Sequence, residues 1–318
     1  MKTEYKILWI DDALNLVRGD IRNIERFLLS KKVDLAVEKV SVAAGNSVFD
    51  DNVFTNAFED GELDFVLIDL NMPDVKGDDV ISYIRNDLND YYTPIVFYSG
   101  DGIEHLTSSI DSKNSDVAIE KYLDGIFFCH RDDITLKMTN LMSSKIDREH
   151  KIKAVRGMLM ENVSDLDVKI IEALRLSFEH IEENKKSTVL AKIIKKFNDR
   201  KNGSVKTVED LSEASYEDSI EYILDNLRKT DQHFRAEILR YILRYTSDFK
   251  GFGEILSTFY NPKEDQPSLN CFRNDYAHKT EEELEGIHNH ENNLLIKSEV
   301  KKHKENLRKI IAMRTTDE

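Results

Sequence analysis

The chain has 318 residues, 40% hydrophobic and 33% charged, which is enough for two domains that each bury a core. There is no apolar run of about 20 residues to span a membrane, and the two cysteines, Cys129 and Cys271, lie far apart without metal-ligand spacing, which argues against a disulfide or a zinc site. Of the net charge of -15, residues 1–142 hold -13, with 27 acids against 14 bases, and the rest holds -2; broad coating of DNA is therefore disfavoured, while a small nucleic-acid site is not.

The opening MKTEYKILWI enters strand-like sequence at once, without the layout of a secretory signal, so a cytoplasmic protein is expected. Residues 5–128 then alternate short apolar runs with amphipathic stretches: YKILWI and 14–30, VEKVSV and 46–59, DFVLIDL and 77–88, PIVFYS and 102–116, then GIFFC. Such alternation predicts an α/β domain over 1–142, a five-stranded parallel sheet with helices on both faces and its site at the carboxyl ends of the strands. From about Lys145 the short β-branched runs disappear, and helical periodicity marks 146–162, 166–182, 187–198, 217–230, 233–246 and 293–312. An all-α domain over 143–318 is expected, with loops at 199–208 and 260–270.

Three carboxylates fall where this topology brings loops together: Asp11 and Asp12 after the first strand, and Asp69 at the end of the third. Acids gathered in one pocket repel each other unless a divalent cation is present, and a hard, oxygen-rich site suits Mg²⁺. Asp69 is followed by Asn71, Met72, Pro73 and Gly77 in DLNMPDVKG, and Ser99 ends the fourth strand in PIVFYSG. With those residues the N-terminal half resembles the response-regulator receiver family, whose fold is flavodoxin-like. The resemblance implies Mg²⁺ held by Asp11, Asp12, Asp69 and the backbone carbonyl of Asn71. It also implies Asp69 as phosphoacceptor, Ser99 as the hydroxyl that binds the phosphoryl group, and a histidine kinase or small phosphodonor as partner. The family usually ends its fifth strand with Lys-Pro, whereas Cys129 and His130 stand there in this chain. A thiol cannot supply the lysine's charge; His130 or Arg131 could, if the strand end turns inward.

In the helical half, CFRNDYAHKTEEELEGI sets Arg273, Asn274 and His278 within a short reach, with Thr280 a candidate cap for a following helix. An imidazole able to take a 2′-OH proton and a guanidinium matched to phosphate oxygens are what metal-free RNA cleavage needs. An all-α domain with this motif resembles the HEPN superfamily. That resemblance implies a homodimer with a composite ribonuclease site: Arg273 binds phosphate, Asn274 positions it, His278 is the base, no metal takes part, and RNA is the substrate in a stress or phage-defence setting. Tyr276 is read as packing ahead of base stacking. His288 and His290 lack a partner at metal spacing, and the lysines of 301–309 and 192–196 fit solvated helix faces. Two further readings stand beside the ribonuclease: a non-catalytic signalling or dimerisation module that binds a nucleotide or partner protein, and a DNA-binding regulator, disfavoured because no basic recognition helix stands out.

Overall fold

The computed structural model describes residues 2–45, 47–59, 61–102, 104, 124–199, 215–245, 250–260 and 267–315, so the expected helix at 102–116 and loop at 199–208 lie almost wholly outside the described residues. The chain divides into two compact units, Lys2–Glu149 and His150–Glu318. Among the described residues no helix is long and apolar enough to cross a membrane.

The first unit is a five-stranded parallel sheet in the order β2-β1-β3-β4-β5, with β1 Glu4–Asp11, β2 Asp34–Ser41, β3 Phe65–Asp69, β4 Ile95–Ser99 and β5 Ile126–His130. This is the flavodoxin-like order, in which the site lies where neighbouring loops leave the sheet in opposite directions. Both faces are buried, so the strands read as continuous apolar runs whose alternate residues serve two cores. Leu8, Ile10, Val66, Ile68 and Phe97 pack with the helices α2 Asn52–Glu59 and α3 Gly77–Asn86. Ile7, Trp9, Leu67, Val96, Tyr98 and Cys129 pack with α1 Arg18–Ser30 and α4 Ile134–Glu149.

The boundary falls at 149/150, seven residues beyond the expected 142/143, because α4 belongs to the sheet. It buries Met138, Met142 and Ile146. Lys145 reaches the buried Asp64 carboxylate at 2.5 Å, and the Tyr5 hydroxyl donates to Glu149 at 2.9 Å.

The second unit is helical: α5 Ile152–Glu179, α6 Glu183–Asp199, α7 Tyr216–Arg228, α8 Gln232–Leu243, α9 Lys250–Ser257, α10 Leu269–His278, α11 Glu281–Leu284 and α12 His290–Thr315. Two of the expected helices, 146–162 and 166–182, are replaced by the end of α4, a break at His150–Lys151 and one 28-residue helix. The seam residues Val163 and Leu166 lie on the stripe that α5 buries throughout, so nothing stops it there. Helix α9 was not expected. The α10 start falls inside the expected loop 260–270, where the Ser268 side chain accepts from the Cys271 N–H.

The packing of α4 predicts that a chain ending after Met142 is less stable than one ending after Glu149 by about 2–4 kcal/mol, from the lost Ile146 burial and the exposed Asp64 partner site. Urea unfolding of the two chains measures it; equal midpoints would place α4 outside the first unit.

Candidate functional site

The ends of β1 and β3 bring Asp11, Asp12 and Asp69 together, one carboxylate oxygen of each within 4.8 Å of the others. Asp11 and Asp69 are 0% and 4% exposed, while Asp12 is exposed at the mouth. Three hard oxygen donors at this spacing fit a divalent cation of the Mg²⁺ kind. Burial, then the Asp11 carboxylate, push the Asp69 carboxyl up to about 7, with Arg131 opposing the rise.

Gly77 explains how Asp69 is held. A Cβ at this position would lie 2.2 Å from the Asp69 carbonyl oxygen and 2.6 Å from the Phe97 ring, so only glycine lets α3 start against the β3 end. The loop between them closes through the Gly77 N–H on the Leu70 carbonyl at 3.0 Å and an Asn71–Lys76 bridge. Asn71 sits exposed at the mouth, its side-chain amide donating to Asp101 at 2.8 Å. Ser99 is buried at the end of β4, and its hydroxyl accepts from the Asp101 N–H at 3.0 Å.

The place where the family's lysine stands is apolar. Cys129 is buried in the core under α4, and burial pushes its thiol up to about 11, so it carries no charge into the pocket. The cation comes from two residues further on. After β5 the chain makes a short turn, Arg131–Asp133, and the Arg131 guanidinium donates to Asp11 Oδ2 at 2.7 Å. Of the two expected substitutes, His130 serves the backbone instead: Nδ1 accepts from the Asp132 N–H at 3.2 Å and Nε2 meets the Gly100 carbonyl at 3.0 Å.

Two further pocket residues escape sequence reasoning. Trp9 Nε1 donates to the Tyr98 hydroxyl at 2.8 Å, and that hydroxyl donates to Asp11 Oδ2 at 2.5 Å. Burial, then the Asp11 charge, hold the Tyr98 phenol well above its ordinary value, so it remains a donor. The available signal was strand parity: Tyr98 pairs in register with Asp69, on the sheet face that also carries Trp9 and Asp11.

In the helical unit, Arg273, Asn274 and His278 all lie on α10, Arg273 half-buried and the other two exposed. The structure does not bring Arg273 and His278 together; five residues on a helix separate them by about 140° around its axis. Among the described residues the Arg273 guanidinium donates to Asn274 Oδ1 at 2.9 Å. Tyr276 is fully buried and its hydroxyl meets His288 Nδ1 at 2.8 Å, a packing role. Thr280 caps α11 in a reciprocal box with Glu283. Lysines 302 and 309 pair with Glu299 and Glu305, in keeping with a solvated face, and Lys196 pairs with Glu237. Among the described residues the three pocket acids alone gather at metal-binding spacing.

The raised Asp69 pKa sets a pH dependence in the absence of divalent cation. Between about pH 4 and 7 the folded protein holds a proton on Asp69 that the unfolded chain has lost, so this residue's contribution to stability falls as pH rises through that window. Urea titrations in EDTA should show a steeper decline from pH 4 to 7 in wild type than in Asp69→Asn; parallel curves would refute the assignment.

No family model and no curated protein matches the chain. Among solved structures it is similar to a response-regulator receiver domain from Rhodospirillum rubrum, at 17% identity over 43% of this chain and 89% of that one, TM-score 0.28. It is also similar to the signal receiver domain of a LuxO repressor protein assigned in Vibrio parahaemolyticus, at 16% identity over 46% and 92%, TM-score 0.30, and to a bacteriophytochrome response regulator, at 18% identity over 46% and 93%, TM-score 0.25. The unit Lys2–Glu149 has the receiver fold, on the strength of its own strand order and the acids at the ends of β1 and β3.

Proposed function

We propose that the chain is a signalling protein whose N-terminal unit accepts a phosphoryl group on Asp69 and whose helical unit is its output. The observation that carries this reading is Arg131, a guanidinium delivered to the acidic pocket from beyond the end of β5 although the usual lysine is absent. In this reading an Asp69 oxygen attacks the phosphorus of a histidine kinase's phosphohistidine or a small donor, and the new O–P bond forms as the donor's bond breaks. Asp12, Asp69 and the Asn71 carbonyl, with Asp11 beside them, would hold a divalent cation, which neutralises charge on the transferring oxygens. Arg131 adds forked donors suited to a phosphoryl oxygen. In this reading the Ser99 hydroxyl takes another once it leaves the Asp101 amide.

Incubation with acetyl phosphate and Mg²⁺ should add one phosphoryl mass to wild type and none to Asp69→Asn. Arg131→Gln should slow the reaction about a hundredfold to a thousandfold, the usual cost of losing one preorganised donor from a transition state. An unmodified wild-type protein would end this reading, and an unslowed Arg131→Gln would remove Arg131 from it.

A second reading, RNA cleavage, draws on the exposure of Asn274 and His278 beside Arg273 on one helix. Because the arginine and histidine diverge around that helix, a homodimer would have to place one copy's His278 against the other's Arg273. RNA should then be cut in EDTA by wild type and left intact by Arg273→Ala and His278→Ala. Identical traces from all three would leave the signalling module as the function of the helical unit.

A further inference from the structure

The helical unit holds a cavity of about 520 Å³ between α5, the N-terminal turn of α8 and the start of α10, within the usual range for small-molecule sites. Met160 and Val163 give it an apolar wall, and Asp167, Asp231, Arg235, Tyr260, Asn270 and Arg273 supply polar groups.

Most of these charges are already matched. Arg235 is bidentate on Asp167, with Nε at 2.8 Å and Nη2 at 2.5 Å, and its Nη1 donates to the Leu227 carbonyl at 3.0 Å. Asp231 caps α8, accepting from the Phe234 N–H at 2.8 Å. Beside the Asp231 carboxylate, which keeps its charge, two donors remain. The Tyr260 hydroxyl is buried and has no hydrogen-bond partner among the described residues. Arg273 has no ion pair there, and its guanidinium donates to the neighbouring Asn274 Oδ1. The Asn270 amide stands close by on the same helical turn. Tyr260 is stacked on His233, ring centroids 4.3 Å apart, which fixes where its hydroxyl points. A buried hydroxyl without a partner is destabilising, and a ligand oxygen accepting its hydrogen bond would remove that cost.

We infer that this cavity binds a small phosphomonoester, the Arg273 fork taking its phosphate and the Tyr260 hydroxyl donating to a phosphate oxygen. A dianion matches a guanidinium that has no acid among the described residues. The organic part lies along Met160 and Val163. Occupancy of this cavity would make the helical unit responsive to a small metabolite, independently of Asp69. The site shares Arg273 with the RNA-cleavage reading but does not use His278.

The test is calorimetry in EDTA on full-length Asp69→Asn protein, which takes the acidic pocket out of play. Adenosine 5′-monophosphate and ribose 5-phosphate serve as probes, with inorganic phosphate and adenosine as controls. Both organic phosphates should bind and adenosine should not. Binding should weaken about tenfold or more in Arg273→Ala and severalfold in Tyr260→Phe, the scale of a lost charged and a lost neutral hydrogen bond. His278→Ala should bind as its parent does, which separates this site from the ribonuclease motif. Absence of heat with either phosphate ester overturns the proposal, as does undiminished binding by Arg273→Ala or Tyr260→Phe with native circular dichroism. Inorganic phosphate binding as tightly as the esters would reduce the site to a simple anion hole and overturn the organic ligand.

Discussion

A carboxylate with no exposure to water, Asp11, is the constraint around which the first unit is organised. An unpaired buried charge costs several kcal/mol, so every lone pair of such a group needs a donor. Asp11 Oδ1 accepts the Ala13 N–H at 2.6 Å, and Oδ2 takes both the Tyr98 hydroxyl and the Arg131 guanidinium. Those donors come from the loop after β1, from β4 and from the turn after β5. One compensated acid thus ties three strand ends to a point, and the Trp9 indole behind Tyr98 extends the tie into the core. The path of the chain after β5 follows from it: the turn that presents Arg131 runs straight into α4, which Thr135 pins to Asp20 of α1.

Asp69 sits against this network without being part of it. It shares the pocket's negative field, and the Arg131 guanidinium that opposes its rise in pKa already donates to Asp11. Burial and the Asp11 charge therefore favour the protonated form of Asp69 over that of a free aspartate. Gly77 matters to the same end, because any side chain there would push α3 off the Asp69 carbonyl and loosen the strand end that aims the carboxylate.

The parts legible in the sequence were those written in short-range pattern. Five apolar runs gave the strands, and acids at the ends of two of them gave the pocket, because strand ends in a parallel sheet converge whatever the loops do. Arg131 was legible only as one of two options, since the family's lysine position falls on Cys129 inside β5, while the charge comes from a turn just past the strand. Tyr98 was hidden inside an apolar run, where a tyrosine reads as core until the register shows its hydroxyl beside Asp11. In the helical unit, α5 was split because Val163-Ser164-Asp165 looks like punctuation, yet the buried stripe continues through it. Helix α9 escaped because two glycines in KGFGEILS weaken its helical signal, though Gly253 is where Arg240 of α8 approaches to 3.4 Å of a would-be Cβ.

Both units solve the same electrostatic problem with opposite signs. In the sheet unit one arginine is set against three acids; in the helical unit Asp167 neutralises Arg235 completely. Each solution leaves one ionisable group over: Asp69, whose neighbours repel its charge, and Arg273, which has no acid among the described residues. Under the proposals made above, Asp69 would take a cation and then a phosphoryl group, and Arg273 an anion. The RNx₃H motif thus divides its labour: Arg273 turns toward the cavity, while His278, at the exposed end of α10, is left for whatever meets the surface.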